Sequence, residues 1–115
     1  MHAATENISL KKTIEFSLDI IKYAENLEDQ KKFVIARQLL RAGTSIGANV
    51  HEAQNAESKL DFIHKFKLAA KEVEETKYSL VLCQNSDSYP PCEHLIGKLS
   101  EIEKIITKII SSSKK

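Results

Sequence analysis

The run Gly43-Thr44-Ser45-Ile46-Gly47 matches G-x-S-x-G, the pattern in which a serine on a sharp strand-to-helix turn attacks a carbonyl. That chemistry needs a strand before the serine and a large α/β sheet around it. Here the pattern lies inside a helical apolar repeat, in a chain of 115 residues that is too short for such a fold. Its two glycines stand one helical turn apart, where a neighbouring helix can approach closely. Together they cost about 2 kcal/mol of helix propensity, which tight packing must offset. His51-Glu52 opens like the zinc motif H-E-x-x-H, but Asn55 occupies the second ligand position. Asp61-Phe62-Ile63-His64 is a single D-x-x-H, whereas a di-iron bundle takes E-x-x-H from two helices and a glutamate from each of the others. Cys83 and Cys92 flank a loop, so a disulfide between them is geometrically conceivable, but their C-x8-C spacing is neither a zinc nor a redox motif, and in the expected cytosolic compartment reduced thiols are the favoured state. His2 and His94 read as exposed end or loop residues. No catalytic residue, metal or cofactor is assigned, and the chain reads as a non-enzyme.

A different set of polar residues is spaced with more regularity. Gln38, Arg41, Ser45, Asn49 and Glu52 recur every three or four positions beside an apolar stripe, and Lys65, Glu72, Glu75 and Ser79 form a comparable line further on. Two readings stand side by side. Both lines are solvated helix faces, or they meet as a paired polar seam in which Arg41 contacts Glu72 or Glu75, between helices or between subunits. Buried pairs of that kind fix register and partner choice more than they add stability.

The elements that must hold these residues are helices. Four segments carry apolar residues at three- and four-residue steps, and none alternates as a strand would. The first is expected over about 9–27, with Ile14, Leu18 and Ile21 as one stripe and Phe16, Ile20, Tyr23 and Leu27 beside it. The second, about 32–55, places Ile35, Leu39, Ala42, Ile46, Val50 and Ala53 on one face. The third, about 58–84, opens on Ser58-Lys59-Leu60-Asp61, a capping box, and buries Phe62, Phe66, Ala69, Val73 and Leu80. Asn85 to Pro91 is a loop, since helix interiors exclude such a Ser-Asp-Pro cluster. The last helix, about 92–111, repeats Leu95, Leu99, Ile102, Ile106 and Ile109 like a coiled-coil seam, and the tail from Ser111 to Lys115 should fray. Short connections make neighbours antiparallel, so the fold class is all-α, an up-and-down antiparallel four-helix bundle forming one domain over 1–115.

Composition agrees and narrows the partners. Hydrophobic residues make up 42% and charged ones 29%, with only three glycines and two prolines to interrupt long helices. The formal net charge of +1 means that any RNA contact must come from a local patch, not from the overall field. No stretch approaches the roughly 18 apolar residues of a membrane span, and no signal-peptide core is present, so the cytoplasm is the expected compartment.

Three runs carry a resemblance. Ala36-Arg37-Gln38-Leu39-Leu40-Arg41-Ala42-Gly43-Thr44-Ser45-Ile46-Gly47-Ala48-Asn49-Val50-His51-Glu52-Ala53, Ser58-Lys59-Leu60-Asp61-Phe62-Ile63 and Ala70-Lys71-Glu72-Val73-Glu74-Glu75-Thr76 resemble the four-helix bundle proteins found in intervening sequences of bacterial 23S ribosomal RNA genes. The likeness covers nearly the whole chain. It departs from the family's K-E-x-x-E-T-x-Y-W-L pattern where Ser79 follows Tyr78. The resemblance implies a left-handed bundle that assembles into a ring, typically a homopentamer, without an established enzyme activity. It also implies similarity to the accessory protein of diversity-generating retroelements, which works beside a reverse transcriptase and RNA. The family's motif positions fall on Arg37, Gln38, Arg41, Ser45, Asn49, Glu52, Lys71, Glu72 and Glu75. A homo-oligomeric scaffold without a small-molecule substrate is therefore the leading expectation. The alternative is an RNA- or ribonucleoprotein-binding accessory module using Lys11, Lys12, Lys31, Lys32, Arg37, Lys65, Lys67 and Lys71.

Overall fold

Four helices account for nearly all of the residues 3–114 that the computed structural model describes: α1 (Ala3–Asp29), α2 (Phe33–Ala53), α3 (Lys59–Gln84) and α4 (Glu93–Ser113). Their ends follow local chemistry. Ser58 has extended backbone, and its hydroxyl accepts the Asp61 N–H at 3.0 Å. The Asp61 carboxylate in turn accepts the N–H of Glu57 at 3.1 Å, so α3 starts where the capping pattern lies. α1 stops because Lys31 takes the left-handed conformation, at φ 63°, and the N–H of Lys32 closes on the Leu27 carbonyl at 2.9 Å.

Two helix ends differ from the sequence expectation. α1 begins near residue 3 and not near 9, with the Ser9 hydroxyl donating to the Glu6 carbonyl and Thr13 to that of Ser9 inside the helix. The tail does not fray at Ser111: α4 runs to Ser113, which is buried. The four-and-three repeat ending at Ile109 simply continues one more turn and puts Ser113 on the core face.

Ion pairs and close approaches fix the directions. Gly43 and Gly47 of α2 face Ile20 and Thr13 of α1, Arg41 and Glu52 of α2 pair with Glu72 and Lys65 of α3, and Lys12 and Asp19 of α1 pair with Glu101 and Lys98 of α4. In each case one residue number rises as its partner's falls, so the neighbours are antiparallel. Each helix packs on two others, α1 and α3 both lying between α2 and α4, which places the helices at four corners.

The core is the interior of that square. Leu39, Ile46 and Val50 of α2, Phe66, Val73 and Leu80 of α3, and the expected Leu95, Leu99, Ile102, Ile106 and Ile109 of α4 are all buried. On α1 the expected stripe is corrected. Phe16, Ile20, Tyr23 and Leu27 are the buried line, while Ile14, Leu18 and Ile21 face outward, with Leu18 55% exposed. Both lines have helical spacing, so periodicity alone cannot choose between them. The close approach of Gly43 to Ile20 decides which one turns inward.

The α3–α4 loop is pinned at its base. The Gln84 side chain accepts the Cys92 N–H at 2.8 Å, and the Tyr23 hydroxyl donates to the Pro90 carbonyl at 2.6 Å. Cys83 and Cys92 are free and buried beside Tyr23, and burial raises both thiols and the phenol above their ordinary pKa. Among the described residues no helix is long and apolar enough to cross a membrane.

Candidate functional site

The two polar lines meet along the outer edge between α2 and α3. Both helices are amphipathic, and antiparallel packing of their apolar faces leaves the residues at the margin of each face side by side. Arg41 sits at the centre. Its Nη1 donates to both carboxylate oxygens of Glu72 at 3.3 Å, and its Nη2 donates to Glu75. Two to three turns away, Lys65 closes the same edge on Glu52 at 3.1 Å. Within α2 the hydroxyl of Ser45 donates back to the Arg41 carbonyl, and Asn49 Nδ2 donates to the Ser45 carbonyl at 2.9 Å. On α3 the Thr76 hydroxyl is buried and donates to the Glu72 carbonyl at 2.7 Å.

The seam lies within one chain, so the pairing of Arg41 with Glu72 and Glu75 does not require a second subunit. Nor is it a buried charge cluster, because the Arg41 side chain is 59% exposed. Pairs this open add little to stability. The two carboxylates differ. Partial burial pushes Glu72 up from the ordinary carboxylate range, whereas the Arg41 hydrogen bond pulls Glu75 down and the Lys71 charge helps. Arg41 itself is held more firmly protonated by Glu75 and Glu72.

Next to Arg41 a groove opens, lined by Gln38, Arg41, Ala42, Glu75, Tyr78 and Ser79. Tyr78 and Ser79 complete this wall. Tyr78 was legible only as part of the family pattern, while Ser79 already stood in the α3 polar line. Arg37 is exposed one residue round α2 from Gln38, and it joins none of the seam contacts among the described residues. The groove offers weak chemistry: the guanidinium is occupied by two carboxylates, and the Ser45 hydroxyl is spent on its own helix. Among the described residues no three His, Cys, Asp or Glu side chains gather as a metal ligand set.

The basic residues are distributed differently from the polar seam. Lys11 and Lys12 lie on α1, Lys31 and Lys32 at the α1–α2 turn, and Lys65, Lys67 and Lys71 on α3, diagonally across the bundle from α1. Lys12 pairs with Glu101, Lys65 with Glu52, and Lys32 stands over the Tyr89 ring at 4.9 Å. They do not form one continuous patch.

Comparison with known proteins fits this geometry. The family model of the 23S rRNA-intervening sequence protein matches residues 5–108, which takes in all of α2 and α3 and their shared edge. The chain belongs to that family. The chain is also similar to a solved structure: a crystallised protein of unknown function from the S23 ribosomal protein family of Bacteroides thetaiotaomicron is 37% identical, the match covering 93% of this chain and 98% of that one, with a TM-score of 0.88. No curated protein matches the sequence. For this member of the 23S rRNA-intervening sequence family, the shared all-α fold and the α2–α3 edge are thus the features from which a function has to be read.

Proposed function

We propose that the chain is a non-enzymatic scaffold that works as a homo-oligomer, with five copies in a ring as the assembly to test first. One observation carries the reading. Arg41 is occupied by Glu72 and Glu75 and the Ser45 hydroxyl by its own helix, while among the described residues eleven large apolar side chains, Leu18, Val34, Leu60 and Tyr78 among them, stay exposed on the outside of the bundle. Where such side chains lie side by side, as Ile14, Leu18 and Ile21 do along one face of α1, they make the contiguous apolar surface that a protein partner covers. Membership of the 23S rRNA-intervening sequence family supports the reading as far as the fold. In it, the Arg41–Glu72–Glu75 cluster sets the spacing of α2 and α3 and thereby shapes the edge presented to partners.

The test is solution mass by size-exclusion chromatography with light scattering. A mass near five times 13.0 kDa supports the ring, and a single-subunit mass at high concentration overturns it. Arg41→Ala then tests the seam: an unchanged mass and unchanged unfolding midpoint remove its role in assembly. An RNA- or ribonucleoprotein-binding module is the alternative, and the scattered, partly paired lysines give it less support. Binding that weakens steeply with added salt would favour it, and no binding of structured RNA at low salt would rule it out.

A further inference from the structure

Two apolar surfaces on the outside of the bundle flank α2. The first runs along the α1–α2 side. Ile14, Leu18 and Ile21 of α1 follow a four-and-three spacing, and Phe33 and Leu40 of α2 stand seven residues apart on the side that turns towards α1. The contacts of Gly43 with Ile20 and of Gly47 with Thr13 set the register, bringing Leu40 beside Ile21. This is a coiled-coil seam with no helix of the described chain packed over it. The second surface lies on the α2–α3 side, in line with the groove beside Arg41. Val34 and Tyr78 are 71% and 68% exposed, and Leu82 follows Tyr78 one turn on. The antiparallel register that pairs Arg41 with Glu75 brings Val34 towards Leu82.

We infer that these two surfaces are the two halves of one head-to-tail interface, the α1–α2 strip of one copy packing on the Val34–Tyr78–Leu82 surface of the next. The inference rests on the scaffold reading and names its contact. Area supports it: with about 200 Å² for a fully exposed large side chain, the strip offers about 440 Å² and the second surface about 360 Å² of apolar area. Together that is about 800 Å² of apolar area counted over both partners, which with a polar rim makes an interface of about 1,300 Å² in total, at the lower end of the range for stable complexes. Geometry supports it as well. The surfaces occupy adjacent sides of a four-cornered bundle and face about a right angle apart, so successive copies with parallel axes close into a ring after about four or five. A strip-on-strip dimer would leave the second surface bare.

The experiment uses two full-length variants, Leu18→Glu in the strip and Tyr78→Glu in the opposite surface, with circular dichroism to verify folding. Both positions are exposed, so neither change disturbs the core. Each variant alone should run as a single subunit of 13.0 kDa where the parent chain is oligomeric. An equimolar mixture keeps one intact strip and one intact opposite surface, and should give a one-to-one complex of twice that mass. A Leu18→Glu variant that keeps the parent mass overturns the inference and leaves the scaffold reading standing. So does a Tyr78→Glu variant that forms dimers by itself, or a mixture that stays as single subunits. A parent chain that is already a single subunit removes the scaffold reading and this inference together.

Discussion

The three glycines offer a graded test of the packing, because each sits in a helix and each would gain helix propensity as alanine. In an open environment that gain is about 1 kcal/mol. Gly97 is in such an environment: a Cβ added there meets nothing within 4 Å. At Gly47 the added atom would stand 3.2 Å from Thr13 Cβ and 3.3 Å from its Oγ1, which is tight but leaves room for a small adjustment. At Gly43 it would stand 2.9 Å from Cγ2 and 3.0 Å from Cγ1 of Ile20, a side chain with no exposed surface and no free direction in which to yield. Overpacking a closed core costs about 1–3 kcal/mol, so it outweighs the propensity gain. Gly97→Ala should therefore stabilise by about 1 kcal/mol, Gly47→Ala should be near neutral, and Gly43→Ala should destabilise by about 1 kcal/mol. Urea unfolding followed by circular dichroism, at one fixed chain concentration, gives all three values. The spread between Gly43 and Gly97 corresponds to about 8 °C in a domain of this size. A Gly43→Ala protein as stable as Gly97→Ala would refute the claim that α1 and α2 are set by contact at Gly43. A second check is available: combining Gly43→Ala with Ile20→Ala should cost less than the sum of the two, because the clash disappears with the side chain.

Other outcomes follow from the same structure. Ser58→Ala removes the hydroxyl that caps α3 and should cost about 1 kcal/mol in the same assay, with the loss reduced in Ser58→Asn. Lys31→Gly relieves a left-handed residue at the end of α1 and should raise stability by up to about 1 kcal/mol, which a lowered midpoint would contradict. The Tyr23, Cys83 and Cys92 protons are held more tightly folded than unfolded, so their contribution is fully present below the unfolded cysteine value and is lost as pH rises beyond it. The urea midpoint should accordingly fall between about pH 7.5 and 10, and a variant with both cysteines changed to alanine should show a shallower fall.

Much of this protein was legible in its sequence. Four helices, the loop at Asn85 to Pro91, the Ser58 cap and the buried lines of α2, α3 and α4, in which only Ile35 and Phe62 stay half-buried at the margin of the core, all follow from interactions within a few residues, and such interactions are written directly in the spacing of side chains. The polar lines of α2 and α3 were visible for the same reason, and so was the family likeness, because those runs carry its motif. The sequence could not say which of two equally periodic lines on α1 turns inward, since Ile14, Leu18 and Ile21 repeat as regularly as Phe16, Ile20 and Tyr23. That choice belongs to the close approach of Gly43 and Ile20, a contact between residues more than twenty positions apart. Nor could it say whether Arg41 meets its carboxylates within the chain, because spacing sets the face on which a residue lies and not the face it opposes. Tertiary packing decided both: it turned Arg41 onto Glu72 and Glu75 of the same chain, and it left an apolar strip of α1 and α2 on the outside, where no local pattern would have placed it.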